Sequence, residues 1–327
     1  MSFFNRNYLS NNSIDILVVK RCYRHYTGAM TAQQMWERYC AQSNTDINTP
    51  YEAWAYGAAP DNLLALTILG AKTGTASAYE LYALDPDEPV PQVGDYSVIL
   101  DSREQAQCII VTTQTSVIPF DQVDAIHAAS EGEGDRSLAY WRRVHEDFFT
   151  KELAEYNLCF SNRTPILCER FQVVYSLYQV SNLSEKQAKE VCSWRYSDIY
   201  SVYNYPSWEE CIQLGWSITN ETKRQQEFFA VTCEGQFLAL FRIMDRGDHV
   251  ELGIGMKPEY CGQGNGRMLT ELALAKIEEL YGQIPVQLLV RTFNTRAIAC
   301  YEKVGFEIVS ECSSPETGPL YQMRLER

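Results

Sequence analysis

Long apolar runs are missing from this chain. No stretch approaches the ~20 consecutive apolar residues of a bilayer-spanning helix, which excludes a helical membrane protein. Nor does the N-terminus offer a compact apolar segment followed by small residues at a cleavage site, so secretion is not expected. Paired metal-ligand spacing is missing too. The eleven cysteines never fall as C-x-x-C and only four histidines are present, so a zinc site has no ligand framework. Reduced thiols in a cytoplasmic protein are the expectation.

Positive charge is scarce, with 28 Lys and Arg against 42 Asp and Glu and a formal net charge of -14. The deficit is uneven. Residues 1–29 are weakly basic, whereas residues 30–178 hold 9 basic and 21 acidic side chains and residues 179–327 hold 15 and 20. So acidic a surface repels a phosphate backbone and disfavours broad binding to duplex nucleic acid; a local basic pocket stays open.

A length of 327 residues points to two domains, each of roughly 150 residues. Residues 1–29, polar and Asn-rich, read as an extension without fixed structure. Met30 then opens a helical pattern with Met35, Trp36 and Tyr39 on one face. Strands are expected at 96–100, 107–112 and 170–175, and a helix begins near Asp135, its N-cap, with Leu138, Trp141, Val144, His145 and Phe148 as its apolar stripe. Short strands with interposed helices read as a small α+β barrel over residues 30–175. Residues 176–327 alternate differently. A helix at 185–194 leads to an aromatic segment with Tyr196, Tyr200, Tyr203, Tyr205 and Trp208, then strands at 228–233, 237–243 and 249–256. A glycine loop, a helix at 268–281, a strand at 286–290 and a helix at 296–304 follow. That order makes a mixed α/β sheet with helices on both faces.

The most informative stretch runs Glu251-Leu-Gly-Ile-Gly-Met-Lys-Pro-Glu-Tyr-Cys-Gly-Gln-Gly-Asn-Gly-Arg. Gly262, Gly264 and Gly266 at alternate positions let backbone N–H groups converge on an anion, and the helix that follows adds partial positive charge. A pyrophosphate is the expected ligand group. By itself the pattern also fits a tight turn or a dinucleotide loop. The dinucleotide reading is disfavoured because the loop follows antiparallel strands and no acid sits about 20 residues on for a ribose.

Cys261 to Gly266 resembles the acetyl-CoA loop of the GNAT superfamily, Q/R-x-x-G-x-G/A, with Cys261 where Gln or Arg is usual. A second stretch, Asn294-Thr-Arg-Ala-Ile-Ala-Cys-Tyr-Glu-Lys-Val-Gly-Phe, matches the family's N-x-x-A-x-x-x-Y-x-x-x-G-F. The resemblance implies acetyl-CoA as cosubstrate and a strand Leu252–Met256 that splays from its neighbour. The backbone of Leu252, Ile254 and Met256 would hold the pantetheine arm, and Cys261, Gly262, Gly264, Asn265, Gly266 and Arg267 the pyrophosphate. Asn294 would reach the cofactor and Tyr301 would lie near its sulfur. A Tyr hydroxyl of pKa ~10 suits proton donation to a thiolate of pKa ~8.5; an aromatic packed on an amphipathic helix is the alternative. The attacking amine has to be neutral, which calls for a base. Glu251 is the candidate, against a merely solvated strand-end carboxylate. Trp194, Tyr196, Tyr200 and Tyr203 fall where the family builds its acceptor pocket, or else serve packing.

Residues 30–175 carry Trp54-Ala-Tyr-Gly, Gly70-Ala-Lys-Thr-Gly-Thr-Ala-Ser, Pro91-Gln-Val-Gly-Asp-Tyr-Ser and Glu131-Gly-Glu-Gly-Asp-Arg-Ser-Leu-Ala-Tyr-Trp-Arg-Arg-Val-His. These resemble the ASCH domain family, a PUA-like β-barrel. Lys72 is the only lysine between Arg38 and Lys151. In a Gly/Thr/Ser turn it is a candidate anion contact or, if desolvated, a base of lowered pKa; an ordinary exposed lysine is the alternative. Glu131 and Glu133 could oppose it or simply close a loop. Some ASCH proteins hydrolyse N4-acetylcytidine with a Lys–Thr–Glu set, which Lys72, Thr75 and Glu131 would mirror; others are linked to RNA.

The reading is therefore an α+β chain in which a PUA-like (ASCH) β-barrel precedes a GNAT-type mixed α/β domain. It is expected to acetylate a primary amine of a small molecule or peptide, with a nucleoside or RNA ligand at the first domain. The rival is an RNA- or nucleotide-binding module whose second half only senses acetyl-CoA. No membrane partner is expected, and the oligomeric state is not legible.

Overall fold

The structure is a computed structural model and describes residues 30–84, 89–314 and 318–327. The expected extension over 1–29 lies outside the described residues. The chain divides into two compact units, the first ending at Leu177 and the second beginning at Tyr178.

In the first unit α1 (Ala32–Ser43), β1 (Tyr51–Trp54), α2 (Pro60–Ile68), β2 (Gly74–Ala78), β3 (Tyr96–Leu100) and β4 (Ala106–Pro119) come first. They are followed by α3 (Ala125–Ser130), α4 (Leu138–Glu155) and β5 (Pro165–Ser176). Thr31 and Gln34 close a capping box at the start of α1, whose buried stripe is Met35, Trp36, Tyr39 and Cys40. Helix α4 is capped by Ser137, not Asp135. The Ser137 hydroxyl accepts from the Tyr140 amide at 3.0 Å, while Asp135 accepts from the Ser137 amide at 2.8 Å, shaping the turn before the helix. The sheet order is β1-β3-β4-β5-β2, with β1 parallel to β3 and the other pairs antiparallel. Strands β1 and β2 remain edges in this pairing, so the closure a barrel requires is not confirmed among the described residues. Phe120, Trp141, Phe149, Leu153 and Ile166 form the core where α3 and α4 cover β2 and β5.

The second unit contains β6 (Tyr178–Asn182), α5 (Glu185–Ser193), α6 (Trp208–Gln213), α7 (Glu221–Glu227), β7 (Phe228–Cys233), β8 (Gln236–Asp245) and β9 (Val250–Met256). Then come α8 (Gly266–Tyr281), β10 (Val286–Arg291), α9 (Thr295–Glu302), β11 (Glu307–Ser314) and β12 (Gly318–Leu325). The seven strands are ordered β11-β12-β10-β9-β8-β7-β6, and only β9 and β10 run parallel. Residues 237–241 of β8 are buried without alternation, the signature of a strand covered on both faces. Trp194, Phe228, Phe237 and Leu240 make one of the resulting apolar layers. Among the described residues no helix is long and apolar enough to cross a membrane.

Candidate functional site

Among the described residues of the second unit the only parallel pair is also the shortest. Strand β10 pairs with β9 at two positions, Val286 with Val250 and Gln287 with Glu251, whereas β9 stays paired with β8 up to Met256 opposite Ala239. Residues Leu252 to Met256 thus keep one neighbour and lose the other. The fork leaves backbone groups available to an extended ligand, which can bond there as a strand would. A Cβ on Gly255 would come within 3.1 Å of Leu240 Cδ2 and 3.9 Å of Trp194 Cζ3, so the glycine permits this packing on one side of β9.

Beyond β9 the chain turns through Cys261 into the glycine loop. Gly262 and Gly264 hold φ of +78° and +86°, a region costly to residues with a Cβ and characteristic of loops whose amides bind anions. Gly266 opens α8, and a Cβ there would meet Cys300 Sγ at 3.1 Å, so a small residue lets α8 lie close to α9. Arg267 follows on the first turn. The Asn265 side chain is buried and donates to the Tyr260 carbonyl at 3.4 Å, bracing the loop from within. Arg296, which the sequence reading overlooked, places a guanidinium nitrogen 3.5 Å from the position of a Gly262 Cβ and its centre 4.7 Å over the Tyr200 ring. It returns to the loop the positive charge that Cys261 lacks. Amides in a left-handed turn, the N-terminus of a 16-residue helix and a nearby guanidinium fit a pyrophosphate.

The aromatic segment spans the open end of the fork. Tyr196 donates to the Met256 carbonyl at 2.7 Å, and the Tyr203 hydroxyl accepts from Asn294 Nδ2 at 3.1 Å. Phe293 contacts the rings of Tyr200 and Tyr203, with centroids 5.7 and 6.4 Å away. Tyr196, Tyr200 and Tyr203 thereby line one place, while Trp194 is core. Asn294 is engaged at both ends of its amide, since Oδ1 also accepts from the Ala297 amide at 3.3 Å as the N-cap of α9. These bonds brace the start of α9 against the aromatic segment and leave one amide N–H of Asn294 uncommitted. Tyr301 lies on α9 near Phe306, and burial pushes its phenol above the ordinary value, so it is held protonated. Glu251 sits where the fork closes, and its Oε2 accepts from Arg246 Nε and a terminal nitrogen at 3.0 and 2.8 Å.

In the first unit, Lys72 is 1% exposed. Its Nζ donates to Glu131 Oε2 and Glu133 Oε1, both at 2.9 Å, and approaches the Glu131 carbonyl at 3.5 Å. An ammonium has three N–H bonds, and all three are engaged. Burial alone would lower the Lys72 pKa, but the two carboxylates outweigh it and the value is raised. The base of lowered pKa allowed by the sequence is corrected to a fixed cation. Glu131 Oε1 accepts from Trp141 Nε1 at 2.7 Å and lies 3.3 Å from His127 Nε2 and 3.5 Å from His145 Nε2. Lys72 and His145 hold the Glu131 carboxyl well below its ordinary value despite burial. His145 Nδ1 faces the Trp141 carbonyl at 3.0 Å and has to donate there. A neutral ring would then aim its Nε2 lone pair at a carboxylate, so protonation is favoured, and against the opposing effect of burial Glu131 raises the His145 pKa.

Glycines make this cluster possible. Gly132 has φ +73°, and a Cβ on it would fall 2.5 Å from the Ala71 carbonyl oxygen, so the loop carrying both glutamates crosses directly over the Lys72 backbone. Gly74 lies opposite Arg170 in the β2/β5 ladder, and a Cβ on it would overlap Ser130 Oγ and come within 3.3 Å of Arg170 Cδ. Thr75 pairs with Glu169, and strand alternation turns it to the face opposite Gly74. No hydrogen bond joins its side chain to Lys72 or Glu131 among the described residues. His127, Trp141 and Tyr56, whose ring centre is 5.3 Å from Lys72 Nζ, were not assigned to this site from sequence. An acidic loop with two glycines was the one available signal. Among the described residues no group of His, Cys, Asp and Glu is placed to hold a metal.

Residues 52–175 match the ASCH domain model, and residues 188–306 match the acetyltransferase (GNAT) family model. Over residues 52–175 the chain belongs to the ASCH domain family. Among solved structures, the ASCH domain from Lactobacillus crispatus is 30% identical at a TM-score of 0.41, covering 46% of this chain and 99% of its own. An Enterococcus faecalis protein is 32% identical at a TM-score of 0.40, covering 43% and 86%. The ribosomal-protein-S18-alanine N-acetyltransferase from Escherichia coli is 21% identical at a TM-score of 0.34, covering 45% and 92%. No curated protein matches the chain.

Proposed function

We propose that the second unit transfers an acetyl group from acetyl-CoA to a primary amine on a small molecule or peptide. The observation that carries this is the β9/β10 fork opening next to the glycine loop at the head of α8. Bound there, acetyl-CoA supplies a thioester activated toward amines. The backbone of Leu252, Ile254 and Met256 holds the pantetheine arm, while Cys261 through Arg267, helped by Arg296, grip the diphosphate. Tyr301, kept protonated by burial, donates toward the departing sulfur. Glu251 draws the proton from the amine, its carboxylate oriented by Arg246. Tyr196, Tyr200, Tyr203 and Phe293 shape the acceptor side. The first unit binds a nucleoside- or RNA-related ligand at the Lys72–Glu131–Glu133 cluster, and we favour binding over hydrolysis there because Lys72 has no free N–H bond. We place both activities in the cytoplasm.

Calorimetry with CoA and thiol release from acetyl-CoA over a panel of amines test this reading. Saturable CoA binding with amine-dependent release is expected. Binding without release on any amine would leave an acetyl-CoA sensor, and absence of binding would end the transferase reading.

A further inference from the structure

The first unit is rich in acid, and among its described residues nearly all basic side chains are paired. Arg103 bonds Asp101, Arg163 lies by Asp121, Lys151 holds Asp147, Arg142 donates to the Asp121 carbonyl and Arg143 stacks on Tyr140. Lys72 is saturated by Glu131 and Glu133. Arg136 and Arg170 differ. Neither guanidinium has an ion pair or hydrogen-bond acceptor among the described residues, and each has a buried N–H without a partner, a terminal nitrogen on Arg136 and Nε on Arg170. A surplus of carboxylates makes two unmatched arginines informative, because a buried donor left unpaired is costly.

The backbone of Arg136 and the side chain of Arg170 adjoin the same cluster. Arg170 runs past Gly74 beside Ser130, the residue preceding Glu131. Arg136 is tied to Glu133 by a turn in which its amide donates to the Glu133 carbonyl at 3.0 Å, and it holds φ +59°, a left-handed conformation uncommon outside glycine, Asn and Asp. Glu133 itself is 22% exposed on its side chain and gives only Oε1 to Lys72. Its other oxygen has no protein partner among the described residues.

We propose that Arg136 and Arg170 make this site an anion receptor, and that its ligand is a phosphate monoester which also presents an amino group. The planar guanidinium fork matches phosphate oxygens, and the free oxygen of Glu133 accepts from an amine, as a carboxylate does from the exocyclic amino group of cytosine. Lys72 and Glu131 position Glu133 and do not touch the ligand. The inference shares the location of the nucleoside reading above but needs only this chemistry, which an aminated nucleotide and an amino-sugar phosphate both provide.

The test is calorimetry on the full chain with saturating CoA, so that the second unit's phosphate grip is filled. Cytidine 5′-monophosphate, cytidine, glucosamine 6-phosphate and glucosamine are the probes, with Arg136→Gln and Arg170→Gln as variants. At least one phosphate ester is expected to bind at least about tenfold more tightly than its phosphate-free partner, and each variant to weaken it about tenfold or more. Thermal melting checks that each variant is folded; if Arg170→Gln is not, Arg136→Gln on its loop decides. Binding of glucosamine 6-phosphate alone supports this proposal and ends the nucleoside reading. Equal binding of cytidine and its monophosphate, unchanged in the variants, ends this proposal and leaves the nucleoside reading standing. No binding of either phosphate ester overturns it outright.

Discussion

Single residues were legible here by type and far less by ionisation. A lone lysine in a glycine-rich turn stands out in the sequence, but whether burial or pairing governs it depends on residues about 60 positions away, Glu131 and Glu133. Periodicity cannot report such a pairing. His145 was legible only as part of an apolar stripe, although it faces a buried carboxylate. Its folded pKa is raised above the unfolded 6.5, so the stability it adds is complete below that value and is lost as pH rises through the folded pKa. Glu131 acts in the opposite sense: its depressed pKa gives stability that is present above 4.5 and lost as pH falls through the folded value. The first unit should therefore melt at a lower temperature near pH 9 than near pH 6, and His145→Gln should flatten that difference. A melting series across this range checks it, and an unchanged slope in the variant would show that folding leaves the His145 pKa at its unfolded value. If Tyr301 donates to the departing sulfur, as proposed, Tyr301→Phe should lower kcat by about a hundredfold with KM for acetyl-CoA nearly unchanged. Stopped assays of thiol release measure both constants.

Elements were read well where one face repeats and poorly where polarity changes along their length. Helices α5 and α8 and strand β7 lie within two residues of expectation at each end. By contrast β4 continues from 112 to 119 because its outer half is partly exposed and alternates weakly, and β5 begins at 165 because residues 166–169 are buried without alternation, a run whose period does not announce a strand. The fork of β9 and β10 was foreseeable only through family likeness, since no residue type announces the absence of a partner. Glycines divide in the same way. Gly132 and Gly235 both have positive φ, but a Cβ at 132 would strike the Ala71 carbonyl, whereas nothing lies within 4 Å of one at 235. Gly235→Ala should cost about 1 kcal/mol from backbone conformation alone. Gly132→Ala adds a main-chain clash that no rotamer relieves, so about 3 kcal/mol or more is expected, together with displacement of Glu131 and Glu133 from Lys72. Urea unfolding of both variants, monitored at Trp141 for the first unit, compares them; equal costs would mean that the loop moves aside freely.

At the scale of the whole molecule the sequence carried the division into two parts more securely than the architecture of the first. Order and spacing of motifs sufficed to separate a glycine-loop half from the half before it, whereas barrel closure depends on whether β1 meets β2, a pairing that local pattern does not encode. Each part has its own sheet and its own core, and the strands that end one and begin the other, β5 and β6, belong to different sheets. The groups assigned to acetyl transfer, from Tyr196 through Tyr301, all lie after Leu177. If transfer needs only these, residues 178–327 expressed alone should bind CoA and release thiol with kcat/KM within about threefold of the full chain, a difference below 1 kcal/mol in transition-state stabilisation. Residues 30–177 should keep ligand binding at the cluster around Glu133 and lack thiol release entirely. A larger loss in the second fragment, despite a cooperative melt, would mean that the first unit shapes the acceptor side. Adding the missing fragment in trans would then restore the rate, and the two halves would have to be regarded as one enzyme with a divided active site.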